Sequence, residues 1–291
     1  RSDGTAVARG CNASGQCDLP ALDAGLMYMQ AAAGGDHTAL LRSDGSAVAC
    51  GDNQFGQCDL PSLVGGLEYL QIAAGRSHTV LLRSDGAALA CGSNRFGQCD
   101  FQALDAGVEY SQVGACNSFT VLLRSDGTAV ACGDSVYWQC DLPALGKGQT
   151  YSQVAAGGDH TVLLRCDGTA IACGYNADHR CDVPSLGPGL TCAHVAAGGS
   201  HTVILKSDGT AAACGGNLCG QCDLPALPAG LTYAAHLLPT MLLQGSLVGN
   251  SIHFMTFGGG ERFRVEAGPK DSMADVYVQL AAAHRAGALG P

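Results

Sequence analysis

Pairs of cysteines recur along the chain, and the second cysteine of each pair lies eight positions after the first. The pairs are Cys50/Cys58, Cys91/Cys99, Cys132/Cys140, Cys173/Cys181 and Cys214/Cys222. Zinc ligands usually lie about two to four residues apart, so this spacing does not predict a metal site. The alternatives are reduced thiols that pack in the core and a disulfide that closes each seven-residue loop. We expect mostly reduced, buried thiols. The reason is that Arg9 and Cys17 lie 41 residues before Cys50 and Cys58, so that Cys17 is kept where its partner in a loop disulfide is replaced by arginine.

Histidine recurs at one position of the repeated pattern. The residues are His37, His78, His160 and His201, and Phe119 takes the same place in one repeat. Metal ligands or general bases would be the chemical interpretation. Catalysis, however, needs one histidine in one environment rather than copies in successive repeats. We therefore expect hydrogen-bonded structural histidines.

No nucleophile elbow, phosphate-binding glycine loop or HExxH motif occurs in the sequence. The recurrent aspartate–glycine pairs are interpreted as turn residues. They are Asp44 and Gly45, Asp85 and Gly86, Asp126 and Gly127, Asp167 and Gly168, and Asp208 and Gly209. The sequence therefore predicts a protein that is not an enzyme, with no catalytic residue, no cofactor and no bound metal.

These residues follow a period of 41 residues without insertion or deletion. An R/K-S/C-D-G motif begins at Arg1, Arg42, Arg83, Arg124, Arg165 and Lys206. A fixed period of this size indicates a repeat architecture. Within one repeat, residues 69–74, 78–83 and 87–91 have the composition of strands, residues 84–86 form a hairpin turn, and a loop follows.

The second strand of the repeat is apolar on both faces, as Val80, Leu81 and Leu82 show. Such a strand belongs to a sheet that is covered on both sides. A small covered sheet with a period of about 40 residues is typical of a propeller blade. The sequence predicts an all-β propeller of six three-stranded blades over residues 1–245, or seven with a further blade upstream. An open β-solenoid is the alternative.

The expected ring closes between the two ends of the repeat region. Residues 1–9 would supply a third strand, and residues 232–243 would supply the first and second strands of the same blade. Pro239 and a three-residue shortening make that last segment irregular. Since the chain opens on Arg1, inside the turn motif, we expect it to be a piece of a longer protein.

The order of residues in the repeat is A-A-G-x-x-H-T-x-L-L-x-x-D-G-x-x-x-x-C-G-x-N-x-x-G-Q-C. It resembles the repeat of the regulator-of-chromosome-condensation family, with Cys where that family usually has Trp and Cys again where it usually has Leu. The resemblance covers residues 1 to 245 and implies a propeller. The short repeats look like a compact branch of that family, similar to HERC-type ubiquitin ligases and secreted β-lactamase inhibitors.

After Gly249 the period ends. Residues 250–291 have the pattern of a β-hairpin followed by a helix, with a capping box at Ser272 and Asp275. This ββα order resembles the first half of a ubiquitin-like domain.

The net charge of −10, with no run of Lys or Arg, argues against binding to nucleic acid. The most apolar stretch, residues 234–249, is interrupted by His236, Pro239 and Gln244, so no membrane span is expected. Reduced cysteines fit a reducing compartment. We expect a soluble monomer in the cytoplasm, with the nucleus as the alternative.

One loop position, thirteen residues after the start of each repeat, holds aromatic residues in three consecutive repeats. These are Phe55, Phe96 and Tyr137, and Trp138 follows the last. Repeat symmetry places them side by side on one rim, where exposed aromatic clusters are typical of binding sites. The alternative is that each ring covers the gap to the next blade.

The resemblance implies a platform for protein partners. We predict a non-catalytic protein–protein interaction propeller, a substrate- or partner-binding module of a HERC-type ubiquitin-pathway scaffold. Two alternatives implied by the resemblance are guanine-nucleotide exchange on a small GTPase and inhibition of a secreted enzyme. Exchange factors of this kind use an inserted β-wedge, for which the uninterrupted period leaves no room.

Overall fold

The regular structure of the described chain is entirely β. A computed structural model describes residues 4–224 and Tyr233. Within them, fifteen strands form five antiparallel sheets of three strands, and each sheet is a meander in chain order. The prediction of an all-β propeller with three-stranded blades is confirmed for this part of the chain.

Each sheet is one blade, and its strands begin 41 residues after those of the blade before. The first strands, β1, β4, β7, β10 and β13, are Tyr28–Ala33, Tyr69–Ala74, Tyr110–Cys116, Tyr151–Ala156 and Cys192–Ala197. The second strands, β2, β5, β8, β11 and β14, are His37–Arg42, His78–Arg83, Phe119–Arg124, His160–Arg165 and His201–Lys206. The third strands, β3, β6, β9, β12 and β15, are Ala47–Gly51, Ala88–Gly92, Ala129–Gly133, Ala170–Gly174 and Ala211–Gly215.

The aspartate–glycine pairs form the hairpin turns between second and third strands. Gly86 has a φ of +77°, a conformation that favours glycine. A Cβ atom at this position would also collide with Glu109 of the next blade. The preceding aspartate closes the turn, as where Asp44 accepts hydrogen bonds from the N–H and the hydroxyl of Ser46 at 3.0 and 2.7 Å. Turn geometry and blade packing thus both require glycine here.

The apolar core lies between neighbouring blades rather than inside any one of them. Leu81 of β5 packs with Ile72 against Ala39 of the preceding blade. Its neighbour Val80 faces the other way and packs against Val113 of the following blade. Both β5 residues are fully buried, so the expectation that the second strand is covered on both faces is confirmed.

A backbone hydrogen bond joins the start of each blade to the turn of the blade before. The N–H of Tyr69 donates to the carbonyl of Gly45 at 2.8 Å. The same bond occurs at both ends of the described part, from Tyr28 to Gly4 at 2.8 Å and from Tyr233 to Gly209 at 2.7 Å. The 41-residue register therefore extends beyond the five complete blades.

Two expectations depend on residues that lie partly or wholly outside the described part of the chain. Residues 4–9 are not in a strand, and the segment with which they were expected to pair, 232–243, lies outside it except for Tyr233. Ring closure and the final number of blades thus remain predictions. The ubiquitin-like pattern of residues 250–291 also lies outside the described residues. In the described part, no helix is long and apolar enough to cross a membrane.

Candidate protein-interaction site

The aromatic residues lie in the loops after the third strands, and polar side chains hold these loops in shape. The Oε1 atom of Gln57 accepts the N–H of Phe55 at 3.0 Å, and the Oδ1 atom of Asn53 accepts the N–H of Cys58 at 2.8 Å. The glutamine contact recurs in the next two loops, from Phe96 to Gln98 and from Tyr137 to Gln139. Each aromatic ring is therefore carried by a fixed backbone.

We call Phe55, Phe96, Tyr137 and Trp138 the aromatic face. Their exposed fractions are 48%, 54%, 41% and 68%, respectively. A ring that served only to fill a gap between blades would lose more of its surface to packing. The exposure favours a binding role, which remains a prediction.

Two members of the aromatic face line a cleft of about 430 Å³. Phe55 and Phe96 share its wall with Arg76 and Arg95, and Asp52 also contributes. Both arginines are exposed and form no ion pair within the described residues. The Asp52 carboxylate, by contrast, accepts a hydrogen bond from Gln57 at 2.8 Å. The cleft thus combines two aromatic rings, two arginines that form no ion pair, and two aspartates, Asp36 and Asp52.

Sequence reasoning missed these two arginines, although the repeat contains the signal. The residues at the positions equivalent to Arg76 are Gly35, Asn117, Gly158 and Gly199. The residues equivalent to Arg95 are Gln54, Val136, Ala177 and Leu218. An arginine that departs from the repeat next to an aromatic position would have indicated Arg95, which precedes Phe96. Arg76 has no aromatic neighbour in the sequence, and only the fold brings it to the cleft.

Trp138 occupies a backbone position that four other loops give to glycine and one gives to His179, whose φ is +63°. The φ of Trp138 is +62°, and the glycines at the equivalent place in neighbouring loops, Gly56 and Gly97, both have a φ of +80°. A bulky residue in this left-handed region is strained, and such strain persists mainly at functional sites. A strained and exposed tryptophan beside Tyr137 supports a binding role for the aromatic face.

Replacing Trp138 with glycine is expected to stabilise the fold by about 0.5–1 kcal/mol. The change removes left-handed strain of about 1–2 kcal/mol, partly offset by the greater freedom of glycine in the unfolded chain. Urea denaturation measures the difference. The reverse substitution at the equivalent site, Gly97→Trp, is the matched control and should destabilise. A loss of more than 1 kcal/mol in Trp138→Gly would show that the indole is a packing element.

The aromatic face ends at the fourth blade. Tyr137 contacts Tyr175 with ring centroids 4.8 Å apart, and the Arg180 guanidinium lies 4.8 Å from the centre of the Tyr175 ring. Arg180 forms a bidentate pair with Asp178, with both distances at 2.6 Å, and lowers the pKa of that carboxyl. Because Asp178 stands where the three preceding loops have an aromatic residue, an ion pair marks the edge of the face.

The repeated histidines lie inside the fold, away from the aromatic face. His37 is buried, and its Nε2 atom lies 3.0 Å from the Thr79 hydroxyl of the next blade. That hydroxyl donates to the carbonyl of Gln57 at 2.7 Å, so Nε2 carries the proton and donates. His78 and His160 make the equivalent contacts, with Thr120 and Thr202. These hydrogen bonds join neighbouring blades, and we call hydrogen bonds that do so ties.

Burial keeps these histidines neutral. Desolvation lowers the pKa of His37 and of His78 to about 4 and that of His160 to about 3. Desolvation also lowers the pKa of His201, which is only partly buried. The imidazoles of His37, His78 and His160 are therefore uncharged at neutral pH.

All sixteen cysteines are in the described part of the chain, and all are free thiols there. The expectation that most are buried is wrong, because only Cys192 is buried. The repeated cysteines lie on the third strand and in the loop after it. The third strand is the edge strand of each sheet, and all its residues are partly exposed. In residues 4–224, no group of three or more His, Cys, Asp or Glu side chains is placed to hold a metal ion.

Comparison with known sequence families identifies the repeat. The family model described as "Regulator of chromosome condensation (RCC1) repeat" matches four segments, residues 30–57, 70–98, 151–180 and 192–221. Four segments of the chain are thus similar to this repeat. The third blade lies outside these four ranges, and it is the blade in which Phe119 replaces the histidine and Trp138 replaces the loop glycine. No curated protein sequence matches the chain.

Several solved structures share the fold. Prp20p from Saccharomyces cerevisiae, described with its binding to Gsp1p and histones, is 20% identical with a TM-score of 0.54, over 64% of this chain and 56% of that one. Human WBSCR16 is 19% identical with a TM-score of 0.56, over 66% and 63%. Yeast RCC1 (Prp20) bound to Kap60 is 19% identical with a TM-score of 0.56, over 74% and 59%. The chain thus spans about three fifths of these proteins, and the likeness shows the fold alone.

Proposed function

We propose that this RCC1-repeat chain is a non-catalytic interaction propeller that binds a protein partner across its aromatic face. The observation that carries the proposal is the arc of exposed rings on three consecutive loops, which includes a tryptophan in a left-handed backbone conformation. Aromatic residues and arginines dominate the binding energy of protein interfaces. The RCC1-type propeller is itself a protein-interaction fold.

The cleft indicates the chemistry of the partner. Phe55 and Phe96 would take apolar or aromatic side chains, which lose contact with water on binding. Arg76 and Arg95 form no ion pair within the described residues and would bind a carboxylate of the partner in bidentate geometry. A partner segment that carries an acidic residue next to apolar side chains fits both features.

The ubiquitin pathway is the context that we propose for this binding. Support comes from the sequence alone, from the resemblance of the compact repeats to those of HERC-type ligases and of residues 250–291 to half of a ubiquitin-like domain. Nucleotide exchange remains the second candidate, because yeast Prp20p, which shares the fold, is described with Gsp1p binding. The absence of any insertion between repeats disfavours it.

A triple substitution, Phe55→Ser, Phe96→Ser and Tyr137→Ser, tests the proposal. Partners captured by the wild-type chain should be reduced at least about tenfold on the variant, because the substitutions remove the interface anchors. The measurement is quantitative mass spectrometry after capture, with the melting temperature of each variant recorded alongside. Purified Gsp1p and histones form separate arms, which address the exchange alternative directly.

Two exposed apolar residues away from the aromatic face provide a matched control. Val64 and Leu70 are 66% and 57% exposed, and the variant Val64→Ser/Leu70→Ser should keep the captured partners. Equal loss on both variants would mean nonspecific capture and would overturn the proposal. A fall of more than about 5 °C in the melting temperature of the triple variant would show that these rings pack the blades instead.

A further inference from the structure

The half of the cleft that the second blade supplies is positively charged. Two lining positions that hold Asp36 and Asp52 in the first blade hold Ser77 and Ser93 in the second. The same blade carries both arginines of the cleft, at positions where the other four blades have uncharged residues. Relative to the first blade, it therefore lacks two negative charges and gains two positive ones. In a chain with a net charge of −10, this local reversal indicates a site for an anion.

A buried glutamine in this half of the cleft carries a hydrogen-bond donor without an acceptor. The Oε1 atom of Gln98 accepts a backbone N–H of its own loop at 3.0 Å, whereas its Nε2 atom has no partner among the described residues. The residue is 2% exposed, so this donor is costly to leave unpaired. In the first blade the equivalent atom of Gln57 donates to Asp52 at 2.8 Å, whereas Gln139 in the third blade lacks an acceptor too but does not line the cleft. An anion in the cleft would supply the acceptor that Gln98 lacks.

Three serines of the second and third blades also line the cleft. The hydroxyls of Ser77, Ser93 and Ser118 have no hydrogen-bond partner within the part of the chain that the structure describes. Ser93 is only 9% exposed, so its hydroxyl is a second buried group that faces the cleft without a partner. With the two guanidinium groups and the Gln98 amide, six side chains offer donors to one ligand.

The number of donors distinguishes between two kinds of anion. A carboxylate has two oxygens and a single negative charge. A phosphate monoester has three free oxygens and a charge of about −1.5 to −2 at pH 7. Two arginines and four neutral donors exceed what a carboxylate can accept, and their charge balances that of a phosphate.

We propose that this half of the cleft, which we call the phosphate pocket, binds a phosphorylated side chain of the protein partner. It consists of Arg76, Ser77, Ser93, Arg95, Gln98 and Ser118. The inference rests on the proposed function and names the group that the cleft recognises. The planar guanidinium groups bind phosphate oxygens in bidentate geometry. Phe55 and Phe96 line the same cleft and take an apolar side chain next to the phosphorylated residue.

The acidic half of the cleft adds a second requirement for the partner. Asp36 accepts a hydrogen bond from Gln16 at 3.4 Å, and Asp52 accepts one from Gln57 at 2.8 Å. A phosphate placed beside these carboxylates would be repelled, whereas a lysine or arginine would be attracted. A phosphorylated residue with a basic neighbour therefore fits both halves of the cleft.

Peptide arrays test the proposal with the full chain. Three arrays carry a central phosphoserine, glutamate or serine between randomised positions. The phosphoserine array should bind at least about tenfold more strongly than the glutamate array, with a preference for a basic neighbour, because phosphate accepts more of the donors. Equal binding of the glutamate array would overturn the proposal and would leave the proposed function intact. Binding of free O-phosphoserine as tight as that of the peptides would also overturn it, because a small metabolite would then suffice.

Substitutions that restore residues of the first blade separate recognition from folding. Ser93→Asp supplies an acceptor for Gln98 and a negative charge in the pocket, and Arg95→Gln removes one guanidinium group. Each should weaken phosphopeptide binding at least about tenfold with an unchanged melting temperature. Arg83→Gln is the matched control, because Arg83 lies at the far end of β5 and pairs with Asp85 at 2.8 Å. Unchanged binding in the two pocket variants, or an equal loss in the control, would overturn the proposal. Capture of a partner by the aromatic face is measured separately and does not depend on this outcome.

Discussion

Lowering the pH from 7 to 4 is expected to remove most of the stability of the blades. The buried histidines His37, His78 and His160 have ordinary pKa values near 6.5 when unfolded, but values of about 4, 4 and 3 when folded. Between these limits the unfolded chain binds more protons, so stability is fully present above pH 6.5 and falls as the pH drops toward 4. Each histidine contributes about 3 kcal/mol to this loss at pH 4. Three such losses approach the whole stability of an ordinary domain.

The chain contains its own control for this effect. Phe119 takes the histidine position in the third blade and is fully buried, so the site accepts an aromatic ring that does not titrate. His78→Phe should fold and lose about a third of the acid dependence. Phe119→His should add a comparable amount. Urea denaturation at several pH values between 4 and 7 measures the free energy of unfolding of both variants. An identical pH dependence for the two variants would contradict the conclusion that the buried histidines cause the loss of stability in acid.

Removing one glutamine between blades is expected to destabilise the chain by about 3 kcal/mol. The amide of Gln71 is buried, donates to the carbonyl of Val113 at 3.0 Å and accepts the N–H of Val113 at 2.9 Å. Gln71→Met would leave two buried backbone groups without a partner, at about 1–3 kcal/mol each. The free energy of unfolding in urea measures the loss.

The adjacent residue provides the comparison. Leu70 precedes Gln71 on the same strand and is 57% exposed, and two other blades have serine there, Ser111 and Ser152. Leu70→Ser should change stability by no more than about 0.5 kcal/mol. If Gln71→Met lowered the free energy of unfolding by less than about 1 kcal/mol, water would be replacing the amide. The hydrogen bonds between Gln71 and Val113 would then not be needed for stability.

The sequence was sufficient to predict the blades because their signals are local. An Asp-Gly turn between two apolar runs defines a hairpin wherever it occurs, and the second strand of each repeat lies where its pattern placed it. The expected third strand of residues 87–91 is observed at Ala88–Gly92, a difference of one residue at each end.

The ties between blades could not be predicted in the same way. Gln71 and Val113 are 42 residues apart, as are His37 and Thr79. A glutamine in an apolar strand has no local partner that would reveal its role, and the partner becomes visible only when two repeats are stacked. The thiols were misplaced for a related reason, since the pattern A-V-A-C-G does not show that its strand forms the edge of a sheet.

The candidate site was partly visible in the sequence. The positions of Phe55, Phe96 and Tyr137 follow from the period alone. The left-handed backbone of Trp138 could have been inferred from the glycines at equivalent positions, such as Gly56 and Gly97. The approach of Arg76 to Phe96 could not, because they belong to different loops that meet only in the folded chain.

Each kind of tie between blades has a constant span, 42 residues for the glutamine and histidine contacts and 24 for the tyrosine backbone bond, and this also determines which changes of length the chain can absorb. A deletion of one whole 41-residue unit brings the residues of the next blade into the places of those removed. The ties can then form again wherever that blade carries the same residues, the exceptions being Phe119 at the histidine position and His194 at the glutamine position. A deletion of 40 residues would offset all the ties at once and turn inward-facing strand residues outward. Arrays of this kind can therefore gain or lose material by recombination between units, in steps of one blade, without passing through an unpaired intermediate length.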